Sequence, residues 1–213
     1  MQEGIIATEV SSFQLETIKN FHPHISGILN ITPDHLDRHH NMETYIENKA
    51  KILQNQNEND FAILNYEDPV IRNFKAQCRA AVIYFSTDRV LEEGIFVENN
   101  LIKAVMPQGS WEICTLQELS LRGKHNLQNI LCAVAMALAA GIPSQDIAHT
   151  LRTFPGVRHR MEEAALKNGV MYINDSKATN PDSAIKALES FNEPLILIAG
   201  GRNKVPALLN WPA

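Results

Sequence analysis

Ile5-Ile6-Ala7-Thr8-Glu9-Val10-Ser11-Ser12-Phe13-Gln14-Leu15-Glu16, followed by Gly27-Ile28-Leu29-Asn30-Ile31-Thr32-Pro33-Asp34-His35-Leu36-Asp37-Arg38, decides the fold. Each piece reads as a short buried strand ending in polar residues, over 4–10 and 25–31. In an open α/β sheet, ligands bind outside the carboxyl ends of the strands, which puts Glu9 and His35 at adjacent strand ends. With Lys49 on the next helix, an acid, an imidazole and a lysine suit a divalent metal serving a phosphorylated substrate.

Outward from there, strand and helix alternate. The residues after the first strand form a short helix with Ser11 or Ser12 as its cap. A helix is expected over 42–56, closed by the polar tract 55–60, then a strand over 61–65, a helix over 69–77 and a strand over 81–85. Apolar runs at 95–97 and 101–105 flank Glu98-Asn99-Asn100 and predict a hairpin at an antiparallel edge. Gly123-Lys124-His125-Asn126 precedes a long apolar helix that stops at Gly141, suited to the left-handed cap position. A last short helix covers 143–151. The pattern predicts an α/β fold, a mostly parallel sheet with flanking helices.

Phe154-Pro155-Gly156 interrupts both periodicities and is the expected linker. Beyond it, strands over 170–174 and 195–199 around a helix over 181–188 read as a fresh βαβ start. The expected boundary near 156 divides the chain into 1–156 and 157–213, the second part cut short at Ala213.

The 213 residues, 45% of them hydrophobic, suffice for a sizeable core in one or two domains. A net charge of −5 with no long basic run argues against a nucleic-acid backbone as partner. Cys78, Cys114 and Cys132 make no CxxC pair, which fits a reducing cytosol and suggests no zinc knuckle. The longest apolar run, 130–140, has 11 residues against the roughly 20 of a membrane span. The N-terminus lacks a signal pattern, so the expected location is the cytoplasm, with no membrane partner.

The runs EVSSFQLE, NITPDHLDRH and YIENKAKI, continued by GKHNLQNILCAVA, FPGVRHRME and YINDSKATNPDSA, resemble the Mur ligases of peptidoglycan synthesis, in particular the branch that adds D-glutamate. The resemblance covers nearly the whole chain and weakens after Lys204. It implies part of a central ATP-binding domain over 1–156 and the start of a Rossmann-like C-terminal domain over 157–213. It implies an ATP- and Mg²⁺-dependent ligase, monomeric when intact. That enzyme joins D-glutamate to UDP-N-acetylmuramoyl-L-alanine through an acyl phosphate.

Each marked residue has an ordinary reading beside the one the resemblance implies. Glu9 reads as a solvated strand-end carboxylate, or by resemblance a Mg²⁺ ligand. His35 reads as a loop histidine, or the ligand of a second Mg²⁺. Lys49 reads as a solvated helical charge; the resemblance implies a carbamylated lysine, whose carbamate offers the oxygen donors Mg²⁺ prefers. Asn126 is an N-cap in the plain reading, an adenine contact in the other. Arg160 is a surface salt-bridge partner, or a contact to ATP phosphates or ribose. Asp175, Lys177 and Thr179 form an ordinary strand-to-helix turn. The resemblance assigns them to ATP, the transferring phosphoryl group and D-glutamate, and assigns Lys204 to the amino-acid substrate.

A glycine-rich loop of the GxxGK[ST] type, on which this family's phosphoryl transfer depends, does not occur in the sequence. The expectation is therefore a ligase fragment without the UDP-binding N-terminal domain and the phosphate-loop half of the central domain, with little or no activity alone. The alternatives are a relative of folylpolyglutamate synthase, and a noncatalytic remnant that binds nucleotide or misfolds with an unpaired apolar sheet edge.

Overall fold

The computed structural model describes residues 4–33, 36–121, 123–179, 181–191 and 193–200. In chain order they form α1 (Ser12–Glu16), β1 (Ile25–Ile28), α2 (Leu36–His39), α3 (Met42–Ala50), β2 (Phe61–Asn65), α4 (Pro69–Asn73) and β3 (Ala81–Ser86). Next come β4 (Gly94–Glu98), β5 (Leu101–Met106), β6 (Gly109–Thr115), α5 (Lys124–Ala139), α6 (Ser144–Thr153), β7 (Glu162–Lys167), β8 (Val170–Asn174) and α7 (Pro181–Leu188).

One sheet holds β1 to β6 in chain order. The pairs from β1 to β4 are parallel, and β5 and β6 join antiparallel. The expected α/β class stands. Both faces of the parallel part are covered, so its strands are apolar on both sides. In β2, Ile63 faces the cluster containing α5 and α6, while Ala62 and Leu64 face the cluster containing α3 and α4. All three are fully buried.

Local signals explain much of this. Asp68 caps α4 by accepting from the Val70 and Ile71 N–H groups, with Pro69 in the first turn where no donor is needed. The β4–β5 hairpin turns on Asn99 and Asn100, both at positive φ (50° and 65°), as a tight primed turn requires. Gly141 ends α5 at φ 76°, as expected. The long-helix readings break earlier: α3 stops at Ala50 and α4 at Asn73, each continued by a 3₁₀ turn.

Two expected strands are absent. Residues 4–10 form no strand and pair with none among the described residues, and Ile5 and Ile6 are 72% and 89% exposed. A strand persists only where a neighbouring edge satisfies its N–H and C=O groups, and among the described residues β1 pairs with β2 alone. Residues 195–199 fail for the same reason, with Ile196 and Ile198 almost wholly exposed. After Gly156 the chain makes an antiparallel β7–β8 pair followed by α7 instead of the expected βαβ unit. β6 and β7 were not expected. The signal for β7 was Asn168-Gly169, both at positive φ, which turn the chain between Lys167 and its partner Val170.

Candidate active site

A cleft of about 280 Å³ opens where the carboxyl end of β1, the inner faces of α3 and α5, and the residues after Gly156 meet. Asn30 and Thr32 follow β1; Tyr45 and Lys49 come from α3; Gln128 and Asn129 from α5. Arg160, Met161, Asp175, Ala178, Ser183, Lys186 and Ala187 close the other side.

Tyr45 and Lys49 lie four residues apart and so share one face of α3. The Lys49 ammonium sits 5.6 Å from the Tyr45 ring centroid, and the lysine is half-buried. Asn41 caps α3 through its side chain, accepting from the Thr44 N–H at 2.8 Å.

Arg160 stands between His159 and Met161, both at positive φ (65° and 49°), a backbone form uncommon outside glycine. The strap is stitched to the turn after β8. The Lys177 N–H donates to the His159 carbonyl at 3.0 Å, and the Met161 N–H donates to Asp175 Oδ1 at 3.1 Å. The Asn174 amide contacts His159 Nδ1 at 2.9 Å. Arg160 and Asp175 thus reach one cleft although sequence places them on separate motifs.

Of the residues marked from sequence, Lys49, Arg160 and Asp175 line the cleft. Asn126 is buried in the first turn of α5 and lies behind Asn129, whose amide nitrogen is 3.5 Å from its Oδ1. The N-cap of that helix is Gly123, not Asn126. Glu9 is exposed on the unpaired stretch before α1, not at a strand end. Lys177 and Thr179 are exposed and do not line the cleft. His35 and Lys204 lie outside the described residues. Sequence reading missed Tyr45, Asn129 and Lys186; the helical spacing of Tyr45 to Lys49 and of Asn126 to Asn129 was the available signal.

The cleft lining offers oxygen atoms of the kind Mg²⁺ takes, the amide of Asn30, the hydroxyl of Thr32 and the carboxylate of Asp175, whereas Glu9 does not line it. Among the described residues no three His, Cys, Asp or Glu side chains gather into a metal cage. Mg²⁺ needs none, since it takes one or two carboxylates and keeps water or substrate oxygens. No helix among the described residues is long and apolar enough to cross a membrane.

Residues 1–137 match the family described as the Mur ligase middle domain. The UDP-N-acetylmuramoylalanine--D-glutamate ligase of Pelotomaculum thermopropionicum is 52% identical over 202 residues, covering 95% of this chain and 44% of that protein. The protein of the same name from Clostridioides difficile is 47% identical over 203 residues, covering 95% and 45%. Among solved structures, MurF from Acinetobacter baumannii aligns with a TM-score of 0.64 at 26% identity, covering 80% of this chain and 38% of that one. The chain spans less than half the length of these curated relatives.

Proposed function

The chain belongs to the Mur ligase family, and from that membership we propose that it is part of a cytoplasmic, ATP-dependent ligase adding D-glutamate to UDP-N-acetylmuramoyl-L-alanine. Residues 1–156 are its nucleotide- and metal-handling portion, and 157–213 belong to the domain that closes over it. The observation that carries this reading is the gathering of Lys49, Arg160 and Asp175 in one cleft from both sides of Gly156.

In the proposed reaction the muramoyl carboxylate takes a phosphoryl group, with ADP leaving. The D-glutamate amine then attacks the acyl carbon, phosphate departs and the amine loses a proton. ATP supplies the phosphoryl group, and Mg²⁺ when bound neutralises charge on the transferring oxygens. On the resemblance, Glu9, His35 and Lys49, the last as its carbamate, would be the Mg²⁺ ligands. Arg160 meets phosphate or ribose oxygens, and Asp175 orients the nucleotide while holding the Met161 N–H. The reading assigns Asn126 to the adenine, Lys177 to the transferring group, and Thr179 and Lys204 to D-glutamate, on the resemblance of their motifs.

The test is ADP release by the chain with Mg-ATP, UDP-N-acetylmuramoyl-L-alanine and D-glutamate, beside an intact ligase, together with calorimetric titration of Mg-ATP. Because the sequence has no GxxGK[ST] loop, the expected result is nucleotide binding, weakened by Arg160→Ala, without turnover. Turnover within about tenfold of the control, ~1.4 kcal/mol in barrier, would mean that residues of this chain hold the phosphates. Absence of binding by the folded chain would overturn the reading.

A further inference from the structure

At the carboxyl end of β2, two side chains hold the chain where it leaves the neighbouring strand β1. Asn65 is 3% exposed; its Nδ2 donates to the Leu29 carbonyl at 2.8 Å, and its Oδ1 accepts from the Glu67 N–H at 2.9 Å. Asp68 divides its two oxygens. Oδ1 accepts from the Val70 and Ile71 N–H groups at 2.9 and 3.2 Å, which caps α4, and Oδ2 accepts from the Ile31 N–H at 3.1 Å. The Ile31 side chain is itself buried in the cluster that contains α3 and α4.

These bonds fall on the two peptide groups that flank Asn30. The Leu29 carbonyl belongs to the planar group before Asn30 and the Ile31 N–H to the one after it, so holding both leaves φ and ψ of Asn30 little freedom. Asn30 lines the cleft, as does Thr32. Its amide is exposed and has no hydrogen-bond partner among the described residues. The cleft lining carries three cations, Lys49, Arg160 and Lys186, against one carboxylate, Asp175. That balance draws an anion, to which an amide donates through its NH₂ group.

We propose that Asn65 and Asp68 are positioning residues: they fix the backbone on both sides of Asn30 so that its amide donates to a phosphate oxygen of the nucleotide. The inference rests on the nucleotide-binding reading above. Capping α4 needs one oxygen, as a serine would supply, and Asp68 spends its second oxygen on the segment that carries Asn30. A preorganised hydrogen bond to a charged group corresponds to about tenfold in affinity.

The test is calorimetric titration of the whole chain with Mg-ATP, beside amide exchange by NMR and thermal melts. Asn30→Ala should weaken binding about tenfold. Asp68→Ser keeps the α4 cap but is too short to reach Ile31 as well. It should release the Ile31 amide to exchange, still melt cooperatively and weaken binding about fivefold. Asn65→Ala should weaken it similarly; if that variant does not fold, Asp68→Ser decides. On an Asn30→Ala background neither change should weaken binding further, because both act through that one amide.

Wild-type affinity in Asp68→Ser, or a loss that adds in full to that of Asn30→Ala, overturns the positioning role. Wild-type affinity in Asn30→Ala overturns the contact and the positioning role with it. In either case, weakening by Arg160→Ala leaves the nucleotide reading standing. No Mg-ATP binding by the folded wild type overturns that reading and this inference together.

Discussion

The carbonyl of His159 accepts a hydrogen bond from the Lys177 N–H at 3.0 Å, joining the strap that carries Arg160 to the turn that carries Asp175. The Asp175 carboxylate reinforces the joint by accepting from the Met161 N–H. Asp175→Ala should therefore free that amide. A bond of on the order of 1 kcal/mol predicts exchange of the Met161 amide with solvent about fivefold faster, while Asp175→Asn keeps an acceptor and most of the protection. Wild-type protection in the alanine variant would refute the joint.

Gly27 on β1 lies against α5 so closely that a Cβ there would stand 3.0 Å from Cys132 Sγ and 3.2 Å from Met136 Sδ. Gly27→Val should overpack this contact and cost about 1–3 kcal/mol, read as a lower urea midpoint. Gly94→Ala should cost at least as much, because its φ of 136° excludes a side chain and the added carbon meets the Tyr84 carbonyl. A Gly94→Ala protein as stable as wild type would contradict the backbone path into β4.

Asp60, before β2, is buried and held by His22 Nε2 at 2.5 Å, His24 Nδ1 at 2.9 Å and the Asn57 N–H at 2.8 Å. Burial pushes its carboxyl up, but the hydrogen bonds from His22, Asn57 and His24 outweigh it and bring the value from 3.8 to about 2. A depressed carboxylate stabilises the fold above its unfolded value and loses that contribution as pH falls through the folded one. Wild type and Asp60→Asn should differ most in melting temperature above pH 3.8 and converge as pH approaches about 2. A constant gap across that window would rule out the carboxylate as its source.

The three thiols should react in an order set by burial. Burial pushes Cys132 up to about 12, and it also raises Cys114 and Cys78, of which only Cys78 is partly exposed. Iodoacetamide at neutral pH should label Cys78 first and Cys132 only on unfolding, as peptide mapping by mass spectrometry will show. Early labelling of Cys132 would mean that α5 does not pack on β1 as described.

Sequence by itself determined what depends on neighbours along the chain. Ser11 caps α1 through a reciprocal pair with Gln14, the Asn99-Asn100 turn sets the β4–β5 hairpin, and Gly141 ends α5. These rest on local φ/ψ limits and on side chains that reach their own backbone. The motif order also marked Lys49, Arg160 and Asp175. Tertiary structure alone decided which apolar runs become strands. Residues 4–10 and 195–199 have strand composition but no partner edge among the described residues, whereas Glu162–Lys167, rich in helix formers, is a strand because β8 pairs with it. It alone also brought the strap to the turn, because that follows from bonds between groups well separated in the chain, which no spacing in the sequence encodes.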